Sequence, residues 1–289
     1  MKASLRCCAL IVSIACLGGL AGCSDDEGSS CASFLPSSER GADVSSGVRG
    51  TVFFEKRTIN NAGHLSRAED VERRPARFVK VELVSDTCSF STVTDGEGGY
   101  GFGGPVSGSF RILVTAETSG DGAGPAEIRI QDYEGNGYAT ESAEQGEIGT
   151  GETLVLDVTA PVDSESRVAG AFNIIDVLQT SAEIWTDGTG IRPADCAVNW
   201  RSGGATQPGT FFNPESNQIT LLGGLGTLQD STDTDEFDDV VVAHEYLHFL
   251  GFNHGFSSSP GGRHGGEDLL PNLAFEEGYA DWFGAFITG

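Results

Sequence analysis

His244-Glu245-Tyr246-Leu247-His248 sets two imidazoles four residues apart with a carboxylate beside the first. On an α-helix such residues lie about 40° apart around the axis and about 6 Å along it, so both rings can reach one tetrahedral cation. Glu245 then stands next to the cation's open position, where a carboxylate can take a proton from water. The spacing therefore predicts a helix, and four of the five histidines of the chain fall between positions 244 and 264. Asp233, Asp235, Glu236, Asp238 and Asp239 run up to it. Carboxylates suit a helix N-terminus, where unpaired amides carry partial positive charge. Asp238 or Asp239 is the expected cap, with Val240, Val241 and Val242 entering the core; a calcium site is the other use of such a run.

A catalytic tetrahedral metal needs a third protein ligand, and two candidates stand open. His254 lies six residues beyond His248, past Gly251, where a turn could bring a third imidazole back. Glu277 lies within Phe275-Glu276-Glu277-Gly278-Tyr279-Ala280-Asp281-Trp282-Phe283. Aromatics and small residues there predict a buried helix, in which unpaired carboxylates would be costly. Glu277 and Asp281 are four apart and share one face; Glu276 is the alternative ligand on the same helix.

The paired histidines with Glu245 resemble the H-E-x-x-H motif of zinc peptidases. In letters, the extension to His254 is that of the metzincins, but these also require a methionine turn downstream, and the only methionine here is Met1. The Glu277 segment resembles the second motif of the gluzincins, the thermolysin-like and aminopeptidase-like group. That resemblance covers the segment from the histidine helix onward well and the preceding part of 165–289 only loosely. It implies a zincin-like α/β domain over 165–289 and one Zn2+ held by His244, His248 and Glu277. It also implies that Asp281 accepts the remaining N–H of His244, that Glu245 is the general base, and that a peptide or protein is the substrate. Gluzincins continue into a helical subdomain whose Tyr or His stabilises the oxyanion. Gly289 follows soon after Glu277, so the expectation is a C-terminally incomplete domain, or one in which Tyr246, Tyr279 or His264 substitutes.

Residues 1–22 read as an export signal. Lys2 and Arg6 form a basic start, and the apolar run Ala9 to Leu20 is shorter than the roughly 18 to 20 residues that span a bilayer. Leu20-Ala21-Gly22-Cys23 resembles the bacterial lipobox, which implies cleavage before Cys23, lipid on its thiol, and a cell-envelope protein whose only membrane contact is that anchor. Residues 23–45, beginning Ser24-Asp25-Asp26-Glu27, are polar and acidic enough to form a flexible tether. Losing residues 1–22 removes two cations and no acid, leaving a chain still more acidic than the −25 of the whole sequence. Such a surface repels phosphate backbones and excludes nucleic acid as the expected partner. Beyond Cys23 remain Cys31, Cys88 and Cys196, an odd set without C-x-x-C spacing, so one disulfide is allowed and its pairing stays open.

The fold class expected is α+β, an N-terminal antiparallel β-sandwich followed by the α/β domain. Residues 46–160 are rich in β-branched residues broken by Gly, Asp and Asn. Val48 to Glu55, Phe78 to Val84, Phe90 to Val93, Phe110 to Thr115, Glu127 to Gln131 and Leu154 to Val158 read as short strands. Thr94-Asp95-Gly96-Glu97-Gly98-Gly99-Tyr100 resembles the T-D-x-x-G-x-Y signature of carboxypeptidase regulatory-like sandwich domains. Asp95 and Glu97 suit a turn or, alternatively, calcium. Farther on, Phe172, Ile175, Leu178 and Ala182 recur at helical spacing, predicting a helix over Ala171 to Trp185. Ala197 to Trp200, Gly209 to Phe212 and Gln218 to Leu222 read as strands, the last two as a hairpin whose edge could pair with an extended peptide.

Overall fold

The computed structural model describes residues 35–36, 44–58, 70–86, 88–118, 124–162, 167–204, 209–224, 234–258 and 270–289. The expected signal, Cys23, most of the tether, Cys31, Asp233 and His264 lie outside the described residues. Within them the chain is a mixed α+β structure of two sheets and three helices. In order these are β1 (Leu35–Pro36), β2 (Gly47–Lys56), β3 (Glu72–Pro75), β4 (Val79–Ser85), β5 (Ser89–Val93), β6 (Gly99–Gly103), β7 (Phe110–Thr118), β8 (Ile128–Gln131), β9 (Ala139–Glu141), β10 (Thr153–Val155), β11 (Val158–Ala160), α1 (Val168–Thr189), β12 (Cys196–Asn199), β13 (Phe211–Asn213), β14 (Gln218–Thr220), α2 (Asp239–Asn253) and α3 (Pro271–Thr288).

The long strand β2 organises the smaller sheet. Its first half lies between antiparallel β6 and parallel β10, its second between antiparallel β3 and parallel β11, and β1 pairs with β6. The expected strand Leu154 to Val158 is thus two strands, split at Leu156 and Asp157. Gly50 of β2 faces the break: a Cβ there would come within 2.0 Å of the Leu156 carbonyl oxygen, so glycine lets the chain lie this close. Asp95 takes its expected turn role, accepting the Glu97 and Gly99 amides at 2.9 and 2.7 Å.

The larger sheet runs β13-β14-β12-β8-β7-β4-β5, with β9 also on β7. β4 and β7 alternate buried and half-buried residues, with Val81, Leu83, Ile112 and Val114 facing inward, as a sheet with one buried face requires. β12 pairs parallel with β8 from Cys196↔Ile128 to Asn199↔Gln131, so strands from either side of position 165 share this sheet. Cys88 is disulfide-bonded and Cys196 is a free, buried thiol.

α1 packs against strands of both sheets and against α2, which explains why its first two turns are buried all round. Gly170 allows the approach: a Cβ there would lie 2.6 Å from the Glu236 side chain. Glu236 is fully buried beneath α1 and pairs with Arg167 at 3.1 Å, while Arg167 also donates to the Gly224 carbonyl at 2.6 Å. Burial pushes the Glu236 carboxyl above its ordinary range, and the Arg167 charge opposes that rise. Removing one member of such a pair strands the other. Arg167→Met is therefore expected to cost about 3–5 kcal/mol, read as a lower denaturation midpoint in urea; an unchanged midpoint would contradict it.

α3 packs chiefly on α2 among the described helices. Its outward side carries Phe275, Tyr279, Trp282 and Phe286, exposed and stacked in succession with ring centroids 6.2, 5.5 and 5.3 Å apart. No described helix is long and apolar enough to cross a membrane.

Candidate metal centre

α2 begins where the acidic run ends. Asp238 is its cap and accepts the Val241 amide at 3.2 Å. The other described acids of the run meet protein donors: Asp235 accepts the Thr210 hydroxyl, Glu236 meets Arg167, and Asp239 meets Lys56 and the Asn173 amide. Val242, Ala243, Tyr246, Leu247, Phe249 and Leu250 bury most of the helix, leaving His244 and His248 half-buried on one side. α3 starts with Pro271 in its first turn, where the missing N–H has no intrahelical role. It crosses α2 at Gly284, where a Cβ would lie 2.5 Å from the Val240 carbonyl oxygen. That close crossing sets Glu277, two turns earlier, opposite the paired histidines.

Three donor atoms converge there. His244 Nε2 lies 3.0 Å from His248 Nε2, and Glu277 Oε2 lies 3.3 and 3.5 Å from those two nitrogens. Ligands about 2.0–2.1 Å from a tetrahedral cation stand about 3.3 Å apart, so the triangle has the size of one face of such a site. His244, His248 and Glu277 form the one group among the described residues that could hold a metal ion. Two nitrogens facing each other at this range suit lone pairs turned toward a shared cation. The far nitrogen supports that tautomer: His244 Nδ1 lies 2.9 Å from Asp281 Oδ1, a pairing that keeps the proton on Nδ1 and the lone pair on Nε2. Burial first, then the neighbouring His244, holds the His248 imidazole below its ordinary range, which favours the neutral ligand form. Asp281→Ala is expected to weaken metal affinity about 10–100-fold, measured by competition with a chromophoric chelator. Unchanged affinity would leave Asp281 without this role.

Glu245 lies beside the triangle, 8% exposed. Burial pushes its carboxyl up to about 7; the Phe212 amide opposes the rise and the carboxylates of Glu277 and Asp235 add to it. The Phe212 N–H donates to Glu245 Oε2 at 2.8 Å. β13, which carries Phe212, is the outermost strand of the larger sheet and pairs with β14 as the expected hairpin. No side-chain motif announces this contact, because the donor is a backbone group.

The remaining candidates lie elsewhere. His254 ends α2, its amide bonded to the Leu250 carbonyl at 2.9 Å and its ring packed at a tilt on Trp185, centroids 5.3 Å apart. Gly251 faces the returning Phe256 ring, which a Cβ would meet at 3.0 Å. The letters that spell the longer histidine motif thus serve a helix end and its aromatic packing. Glu276 accepts the Ser257 hydroxyl at 2.7 Å and also the Ser258 amide, tying the chain after α2 to α3. Tyr246 is fully buried and stacks on Phe249, and Tyr279 lies in the exposed aromatic row of α3. No protein-family model matches the chain, and no curated protein or solved structure matches it either.

Proposed function

We propose that the chain is a zinc-dependent peptidase of the gluzincin kind, exported and anchored by lipid at Cys23. The convergence of His244 Nε2, His248 Nε2 and Glu277 Oε2 at 3.0 to 3.5 Å carries this reading, because it couples two motifs distant in sequence. A two-nitrogen, one-carboxylate donor set suits zinc. Zinc, when bound, supplies Lewis acidity, which makes water a stronger acid and polarises a carbonyl. Glu245 accepts the proton of the attacking water and passes it to the departing amine. The Phe212 N–H holds one of its oxygens so that the other can face the water. Asp281 fixes the His244 tautomer.

The nearness of the edge strand β13 to α2 supports an extended peptide as substrate, paired through its backbone. The Asp95 turn before Tyr100 supports a carboxypeptidase regulatory-like element between residues 46 and 160, joined to the zincin-like part through the sheet that β8 and β12 share.

A non-catalytic binding protein that keeps the metal is the second reading. It is favoured by the core position of Tyr246 and the outward stacking of Tyr279, which put neither hydroxyl at the donor triangle. Zinc analysis of the mature chain, combined with digestion of an unfolded protein with and without chelator, separates the two. Cleavage that chelator abolishes supports the peptidase. One bound zinc with no cleavage supports the binding protein.

A further inference from the structure

We propose that the backbone N–H of Phe212 is a positioning group for the general base, locking Glu245 to the strand on which the substrate lies. This rests on the peptidase reading and adds a residue to it.

The antiparallel register Phe211↔Thr220, Phe212↔Ile219, Asn213↔Gln218 defines which groups of β13 face its partner. In such a ladder the N–H and C=O of one residue point to the same side, and alternate residues point to opposite sides. Phe212 gives its N–H to Glu245 Oε2 at 2.8 Å, so its polar groups point away from β14, toward the outer edge of the sheet. The amides of Phe211 and Asn213 therefore face β14. The outer edge then offers an incoming peptide the Phe212 carbonyl as acceptor, while the matching donor is already held by Glu245.

Two consequences follow for catalysis. A buried carboxylate with one oxygen bonded has one rotamer and one remaining basic oxygen, so its direction is set before the substrate arrives. The same bond ties the base to the substrate-bearing strand, so the scissile carbonyl and the base keep a fixed relation. The Phe212 ring reinforces the strand by packing on Phe249 and Phe252 at 5.8 and 5.6 Å.

Two variants of the full zinc-loaded chain separate the N–H from the ring. Phe212→Ala keeps the N–H and loses the ring. Phe212→Pro loses both, and proline is tolerated at an outward-facing edge position because no ladder bond is lost. The expectation is a kcat for Phe212→Pro about 100-fold below that of Phe212→Ala, with KM within about twofold and one zinc per chain in both. Equal kcat values in the two variants, with zinc retained, would overturn the positioning role.

Amide hydrogen exchange reads the bond without reference to activity. Glu245→Ala should speed exchange at Phe212 by about tenfold or more and leave the Phe211 and Asn213 amides unchanged. Rapid exchange at Phe212 already in the unmodified chain would refute the bond and the proposal with it. A protected Phe212 amide in a chain that cleaves nothing would instead refute the peptidase reading and this catalytic role, leaving the bond as a structural one.

Discussion

Glu245→Gln is expected to keep one zinc per chain and to lose about 10²–10⁴-fold in kcat, the usual contribution of a positioned general base. The substitution keeps size and shape. Its amide oxygen can still accept the Phe212 N–H now bonded at 2.8 Å, so the strand and the helix stay joined. What it removes is the lone pair that takes the proton. Because Glu245 is not among the three converging donors, zinc content by atomic absorption should equal that of the unmodified chain. Undiminished cleavage in this variant would sink the mechanism, whereas loss of zinc would show that the carboxylate supports the site itself.

The metal-free forms of the same pair behave oppositely. The folded carboxyl is raised from 4.5 to about 7, so ionising it in the folded chain is disfavoured relative to the unfolded chain. Unmodified metal-free protein should thus lose stability as pH rises from about 4.5 through about 7, and the neutral Gln variant should not lose that share. A bound dication would draw the carboxylate back down, so the difference belongs to the metal-free state alone.

The parts of this site written in helical spacing were legible in the letters. His244 and His248 four apart, and Glu277 and Asp281 four apart, each announce a shared helix face, and the structure sets the two faces together. The Asp238 cap was legible for the same local reason. Contacts that join distant segments through single groups were not. Nothing near Arg167 in sequence marks it as the partner of Glu236, and Lys56 gives no sign that it will meet Asp239. The Phe212 N–H was invisible because every residue but proline has one. The pairing of β12 with β8 was hidden because both are four-residue strands with nothing local to mark a partner, and pairing between such strands is set by tertiary packing. The histidine extension stayed ambiguous for a different reason: glycine and histidine at a helix end also suit a turn with aromatic packing, and here Phe256 and Trp185 supply that packing.

The second large effect separates Glu277 from its rivals. Glu277→Ala leaves two imidazole donors and an open face, so zinc affinity should fall by more than the roughly 10–100-fold typical of outer-shell losses, and dialysis against a weak chelator should empty the site. Glu276→Ala removes instead the acceptor for the Ser257 hydroxyl, bonded at 2.7 Å, and for the Ser258 amide. Stability should drop by about 0.5–1.5 kcal/mol while zinc stays. His254→Ala removes a ring packed at a tilt on Trp185, centroids 5.3 Å apart, again with zinc retained. The three variants therefore assign the third ligand by one measurement, zinc per chain after identical dialysis. Zinc kept by Glu277→Ala and lost by His254→Ala would reverse the assignment, because it would require α2 to unwind past Gly251 and swing His254 from Trp185 toward His248. That motion would break the His254 amide bond to Leu250 at 2.9 Å. The donor triangle avoids that cost, since Glu277 already stands 3.3 Å from His244 Nε2 with α2 intact.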